Sequence, residues 1–473
     1  MVTTALPFGG SHAGARRSGA SPALTLTAMS LGFAVVQLDV TIVNVALKTI
    51  RSSFDGGIAG LQWVVNAYTV VFASLILTSG ALGDRLGAKR LFIAGFILFV
   101  VASMACGAAP SLLILIGARA VQGIGAAILV PCSLALLDHT YREPGPRAKA
   151  IGIWAGVAGV ALAGGPVIGG LLIASVGWRT IFFINLPLGL LGIWLTARYA
   201  SESTRSGEHP LDLTGQAAAI IGVAALAASM IEGGAIGWSN ALVISGFGVF
   251  VVAAAAFLAL EAWKSGPMLP PSFFGNRTFT AASVVGLLIN LAFYGLIFAL
   301  SLYFQQIKKF TPLTTGLAFM PMTAVLIAAN VAAGQVTAWL GARPPMVLGQ
   351  AVFAAGCFFL VLIGADTPYT NLWWQTVMMG VGIGLTVPPM TSALLATVDR
   401  TQSGVASGIL NTTRQLGSVI GVALFGSLIA NRDQFIPGMH LALYISAAVL
   451  LIGTASAFFC IRDEQSEVTE GGG

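Results

Sequence analysis

GIGAAILVP, from Gly123 to Pro131, returns as GVGIGLTVP, from Gly380 to Pro388, with two glycines and the proline in register at an offset of 257 residues. Two further echoes follow nearly the same spacing. GALGDRLGAKR, from Gly80 to Arg90, places Gly80 and Gly87 where GQVTAWLGARP places Gly334 and Gly341, at an offset of 254. Gly165 and Gly169 match Gly417 and Gly421 at an offset of 252. Matches at nearly one offset predict a duplicated unit rather than a chance likeness among Gly-rich stretches.

Composition says what the unit is made of. Of the 473 residues, 56% are hydrophobic and 8% charged, where a soluble domain carries about 25% charged residues. Mean hydropathy is +0.89. So few charges cannot cover a water-exposed surface, which excludes a soluble enzyme, a nucleic-acid binder and a disordered chain. The apolar runs are about 20 residues long, the length of a membrane helix, not the roughly ten of a barrel strand. The expected class is an all-α polytopic membrane protein. Spans are expected near 23–47, 62–82, 91–109, 111–137, 149–175, 181–199, 215–232, 241–260, 279–304, 316–339, 346–364, 371–397, 404–430 and 441–461. Fourteen helices of about 20 residues use roughly 280 positions, leaving no room for a large soluble domain. The repeat assigns six spans to each half and leaves 215–232 and 241–260 unpaired between them. The expected organisation is therefore a tail at 1–22, a six-helix half at 23–200, a linker with two extra helices at 201–265, a second half at 266–461 and a tail at 462–473. Parallel six-span repeats around a central cavity are a transporter plan.

Charge orients the bundle. With the N-terminus inside, fifteen of the 23 Lys and Arg fall on the cytoplasmic side and six outside, leaving Arg119 and Arg414 within spans. This excess predicts both termini in the cytoplasm, and it accounts for the net charge of +6 without a nucleic-acid partner. Cys106, Cys132, Cys357 and Cys460 lie in apolar segments at unrelated spacings and form neither a disulfide framework nor a zinc site.

The chain resembles the major facilitator superfamily, and more narrowly its fourteen-span drug:proton antiporters. The likeness rests on LDVTIVNVAL (Leu38 to Leu47), GALGDRLGAKR (Gly80 to Arg90), ARAVQGIGAAILVP (Ala118 to Pro131), GGPVIGG (Gly164 to Gly170), GWRTIFFINLPLG (Gly177 to Gly189) and GVASGILNTTRQLGSVIG (Gly404 to Gly421). Length and loop economy are similar to the methylenomycin A resistance branch. One departure is Lys48, where the family usually has proline after NVAL; it bears on where the first helix ends. The resemblance implies a bacterial inner-membrane protein with two halves that rock around a central cavity, exporting small amphiphilic toxic compounds in exchange for protons. The rival reading is an exporter of one defined metabolite or antibiotic.

Three charges lie deep inside the expected spans: Asp39, Arg119 and Arg414. Each costs at least about 2.5–3.5 kcal/mol at a helix centre, so each is a functional hypothesis. Asp39 lies eight residues before the outer end of its span and Arg119 eight after the outer start of its own, both roughly 12 Å deep at 1.5 Å per residue. Two readings are open: Asp39 carries the driving proton and Arg119 tunes it, or the two form a permanent structural pair. The resemblance maps the family's fourth-span arginine onto Arg119. Arg414, beside Asn411 and Gln415, either meets substrate or bonds neighbouring helices.

In the loop after the second span, Gly80 and Gly87 allow a tight turn beside Asp84, Arg85, Lys89 and Arg90. Asp84 facing a helix N-terminus of the other half would favour the outward-facing state, as the resemblance implies; the alternative is plain cytoplasmic anchoring. Gly165, Pro166, Gly169 and Gly170 permit close packing and a kink, and the resemblance makes them an antiporter motif. Gln37, Asn44, Gln62, Asn66, Tyr68, Gln122, Asn290 and Tyr294 complete the expected cavity lining. Glu232 and Glu261 sit at span ends and read as interfacial. No P-loop, dinucleotide loop or metal-ligand spacing occurs, so the expectation is no ATP, no cofactor, no metal and no enzymatic reaction, with transport driven by an ion gradient in a monomer.

Overall fold

A computed structural model describes residues 21–202, 212–264, 271–398, 402–431 and 433–461. Both expected tails lie almost wholly outside the described residues, as does the side chain of Asp84.

Among the described residues, thirteen helices are long and apolar enough to cross a bilayer. In chain order they are α1 (Pro22–Phe54), α2 (Ile58–Gly83), α3 (Ala88–Ala108), α4 (Leu112–Thr140), α5 (Gly145–Ser175), α6 (Thr180–Tyr199), α7 (Leu213–Ile236), α8 (Ala241–Trp263), α9 (Arg277–Ile307), α10 (Pro312–Leu340), α11 (Arg343–Leu360), α12 (Trp373–Ala396) and α14 (Phe435–Cys460). The remaining long helix, α13 (Ser403–Leu428), carries the polar run from Asn411 to Gln415 and is less apolar. All fourteen expected runs are therefore helices. Most extend a few residues beyond the apolar stretch, because polar ends outside hydrocarbon still close their backbone bonds.

The largest extension corrects the expected end of the first span at 47. Lys48 stands in the first turn of the segment that continues the helix. After a 3₁₀ turn at Val43–Ala46, Leu47–Phe54 continues as an amphipathic helix with Leu47 and Ile50 buried. Asp55, in the left-handed region at φ 52°, ends it.

The duplication is visible in the packing. In the first half α2 and α3 flank α4, and α1 lies against α5 and α6; in the second, α10 and α11 flank α12, and α9 lies against α13 and α14. The matched glycines sit at matched crossings. A Cβ on Gly123 would lie 2.5 Å from the Tyr68 carbonyl of α2, and one on Gly380 2.3 Å from the Met322 carbonyl of α10. Gly165 and Gly169 press on Thr41 and Ile42 of α1, as Gly417 and Gly421 press on the Leu287 and Leu291 carbonyls of α9. Without lipid-excluded water to drive association, helices gain from this close approach, so glycine positions carry the repeat.

Tyr141 donates to the Pro22 carbonyl (2.9 Å), Thr25 to that of Tyr199 (3.2 Å) and Thr278 to that of Cys460 (3.3 Å). These bonds mark one face, called here the terminal face because both ends of the bundle lie on it. The halves meet along α5–α10 and α2–α13; α7 lies over the second seam, touching both α2 and α13, and α8 packs on α7.

Candidate functional site

The centre of the first half is polar, and Asp39 is its hub. Asp39 is fully buried and Arg119 is 1% exposed. The Arg119 guanidinium forms an ion pair with Asp39 Oδ2. Gln122 Nε2 donates to Oδ1 at 2.9 Å and Asn185 Nδ2 at 3.2 Å. Arg119 is itself placed by bonds to the Val64 carbonyl (3.0 Å) and Gln122 Oε1 (2.8 Å), and it lies 4.4 Å from the centroid of the Tyr68 ring. Ser103 accepts from Asn185 (2.9 Å) and donates to the Phe182 carbonyl (2.9 Å). Every hydrogen-bonding atom of the carboxylate is engaged, which a buried charge requires.

Local structure explains the placement. Arg119 and Gln122 are three residues apart on α4 and share a face. Asn185 follows Ile184, which keeps helical angles between Thr180–Phe183 and Asn185–Tyr199, and its amide faces Asp39 of α1. The helices supplying the cluster are thus α1, α2, α3, α4 and α6. At the 257-residue offset Arg119 falls on Thr376, so the ion pair has no copy in the second half.

Four expected site residues therefore meet: Asp39, Arg119, Gln122 and Tyr68. A second group forms around Arg414 on α13. A Cβ on Gly286 would touch its Cγ at 3.1 Å, and Tyr294 lies within its electrostatic reach. Asn290 donates to the Gly286 carbonyl at 2.8 Å. Among the described residues Arg414 has no ion pair or hydrogen bond from its guanidinium, and its Nε is buried without a partner. Asn411 bonds the Ser407 carbonyl in its own helix (3.1 Å), Gln415 stands partly buried beside Arg414, and Gln37 is partly buried on α1.

The other expected lining residues sit in the seam between halves, away from the terminal face. Gln62 Nε2 donates to the Val422 (3.1 Å) and Ala423 (2.7 Å) carbonyls of α13, and Asn66 to that of Val419 (3.4 Å). Ser301 of α9 donates to the Asn44 carbonyl (2.6 Å), and Arg51 to Gln306 (3.3 Å). A Cβ on Gly316 would lie 2.3 Å from the Pro166 carbonyl, and one on Gly170 2.8 Å from Leu313 Cα, so α5 and α10 are also joined there. Toward the terminal face α2 and α13 touch at Leu77 and Gly408, while Gly152 and Gly156 of α5 have nothing within 4 Å of a Cβ.

At the loop between α2 and α3, Gly87 has φ 97° and caps α3. The Lys89 amide donates to Glu202 Oε1 (3.0 Å), Lys89 Nζ to the Ala197 (3.0 Å) and Ala200 (2.7 Å) carbonyls, and Arg90 pairs with Glu202 at 3.7 Å. Arg85 is exposed. Glu202 thus supplies an anion at the positive end of α3, a contact within one half that the sequence did not suggest. Asn185 was legible as a polar residue of its span but not as a ligand of Asp39; Ser103 and Glu202 carried no signal, since neutral polar and loop residues are common. Glu261, expected at the interface, is 2% exposed at the end of α8 near Gly215.

These features have counterparts in known proteins. The chain is 36% identical over 462 residues to the methylenomycin A resistance protein of Streptomyces coelicolor, covering 97% of this chain and 96% of that one. It is 36% identical to the multidrug resistance protein Stp of Mycobacterium tuberculosis, covering 86% and 76%. In fold it is similar to the crystal structure of the human organic anion transporter MFSD10 (TETRAN), with a TM-score of 0.67 at 15% identity over 92% of this chain and 99% of that one. Residues 29–422 match the pattern of the Major Facilitator Superfamily; with two six-helix halves, a duplicated glycine framework and a relative aligned nearly end to end, the chain belongs to that superfamily and is a transporter of small molecules.

Proposed function

We propose that this protein exports small amphiphilic toxic compounds, antibiotics among them, from the bacterial cytoplasm in exchange for protons, by alternating access. The observation that carries the reading is Asp39: one carboxylate, wholly buried in the first half and paired with the Arg119 guanidinium. Protonation of Asp39 would release Arg119, and approach of Arg119 would expel the proton, so one site alternates between two partners. The names of the two resistance relatives support efflux as the direction. The Lys/Arg excess supports a cytoplasmic terminal face. With that orientation the hydrogen-bonded seam lies outside, and the bundle is closed to the exterior. The loop from Gly80 to Arg90 then belongs to the cytoplasmic gate.

Arg414 belongs, on this reading, to the substrate cavity. Its uncompensated charge favours neutral or anionic compounds over cations. A narrower reading, export of one antibiotic, is supported by the relative named for methylenomycin A alone. The deciding experiment is proton release from proteoliposomes challenged with a chemically diverse panel, with and without Asp39→Asn. Retained proton exchange in Asp39→Asn refutes the assignment of the proton site. Response to one compound rather than many decides for the narrower reading.

A further inference from the structure

Pro166 lacks an amide hydrogen, so the Leu162 carbonyl, four residues earlier in α5, loses the donor a helix would give it. Inside a bilayer such a group must be satisfied from elsewhere. The donor is Thr41 of α1, whose hydroxyl reaches the Leu162 carbonyl at 2.9 Å. Gly165 makes the approach possible, since a Cβ there would lie 2.0 Å from Thr41 Oγ1. The hydroxyl has one proton and two other acceptors within its own helix, the Leu38 carbonyl at 3.3 Å and the Gln37 carbonyl at 3.5 Å. Bonding across to α5 is therefore one of two available arrangements.

Thr41 also lies two residues beyond Asp39. Two residues turn a helix by about 200°, so the two side chains leave α1 on nearly opposite sides. Asp39 faces Arg119 of α4 and Asn185 of α6, and Thr41 faces the kinked turn of α5. Directly after Thr41 the helix tightens into the 3₁₀ turn Val43–Ala46, a common hinge form. Here α1 is held between the carboxylate pair on one side and a proline-freed carbonyl on the other.

We propose that Thr41 is a positioning residue that transmits the state of Asp39 to α5. When α1 shifts on exchange of Arg119 for a proton, the Thr41 hydroxyl moves between the Leu162 carbonyl and its own helix, and α5 changes its bend at Pro166. The inference rests on the proton-carrier reading of Asp39.

The test uses the full chain in liposomes, with Cys460 replaced by serine and spin labels at the exposed positions Ile153 of α5 and Val331 of α10. The distance distribution between the labels is followed across pH. The link predicts that Thr41→Val lowers the pH-driven change in population ratio by roughly tenfold, the worth of one hydrogen bond of about 1.4 kcal/mol, while Thr41→Ser keeps it. Pro166→Ala returns an amide donor to the Leu162 carbonyl. In that background Thr41→Val is expected to add nothing, and this pair of variants still reports if Thr41→Val alone folds poorly. Asp39→Asn abolishing the response while Thr41→Val leaves it intact overturns the inference. A further loss from Thr41→Val in the Pro166→Ala background also overturns it. Asp39→Asn leaving the response unchanged overturns instead the proton-carrier reading beneath it.

Discussion

Replacing Arg119 by glutamine gives a sharp test of the buried pair. The substitution removes the donor to Asp39 Oδ2 and to the Val64 carbonyl, while Gln122 and Asn185 continue to serve Oδ1. A fully buried carboxylate would be left without a countercharge. Removing one partner of such a pair costs about 3–5 kcal/mol, whereas replacing both with uncharged groups of similar size is often neutral. Asp39→Asn alone carries the reverse penalty, a buried guanidinium whose remaining partners are the Val64 carbonyl and Gln122. The double variant Asp39→Asn/Arg119→Gln keeps two amides able to bond each other and their neighbours. It is expected to recover most of the loss, giving a coupling energy of about 3 kcal/mol. Reversible unfolding of the purified protein in detergent measures all corners of the cycle. The folded double variant is then expected to exchange no protons, which separates loss of chemistry from loss of structure. Additivity within about 0.5 kcal/mol, or a double variant less stable than both singles, refutes the direct-pair account.

Further expectations concern packing, the seam and the central hairpin. Gly165→Ala forces a methyl into the space of Thr41 Oγ1; it is expected to cost about 1–3 kcal/mol in detergent unfolding, with Gly152→Ala, in open space, as the near-neutral comparison. Gln62→Leu removes two seam bonds worth about 1 kcal/mol each, and labels at Ser52 and Thr314 should report a larger separated population away from the terminal face. Asp212 caps α7 and pairs with Lys264 at the end of α8. Burial opposes its charge, but the Lys264, Gly215 and Thr214 hydrogen bonds outweigh it and hold the carboxyl below its ordinary 3.8. The carboxylate's contribution to the clasp is therefore fully present above that value and is lost as pH falls through the lowered one. Asp212→Asn should cost about 0.5–1 kcal/mol at neutral pH, with the difference from wild type vanishing in strong acid.

What the sequence made legible follows from what a membrane makes rare. Apolar runs, intramembrane charges and glycines at helix crossings are each demanded by the bilayer, so the fourteen helices, the repeat and the meeting of Asp39 with Arg119 could be read from spacing. Direction around a helix axis could not. Gln62 and Asn66 look like cavity residues because they are polar and fall within an apolar run, yet rotation of α2 sends both to α13 carbonyls. Asn185 reaches Asp39 directly, and Ser103 joins at one remove by bonding Asn185 and Gln122, which depends on how α3 and α6 are turned toward α1. The helix end at Phe54 was not legible, because it depends on whether Leu47–Phe54 finds an apolar surface to lie on.

The duplication copies packing without copying charge, and this bears on how the halves divide the work. Glycine crossings are matched in both halves, so both can pivot on similar helix contacts. The Asp39–Arg119 pair belongs to the first half, and the second half contributes instead Arg414, which has no ion pair among the described residues. On the proposed reading, a proton site in one half and a substrate charge in the other would communicate across the seams. The α5–α10 seam begins at Pro166, one hydrogen bond from α1, and the α2–α13 seam ends on the helix that carries Arg414. The extra helix α7 lies on the second seam but directs its polar bonds to the first half: Gln216 donates to the Ser74 carbonyl (2.6 Å) and Trp63 to Glu232 (3.1 Å). Toward α13 it offers small and apolar contacts at Gly234 and Ala227. A hairpin anchored to one half and smooth toward the other can cover the seam against lipid while the halves slide. The unpaired helices thus fit the asymmetry of the charges, since a strap bonded equally to both halves would oppose the motion that alternating access requires.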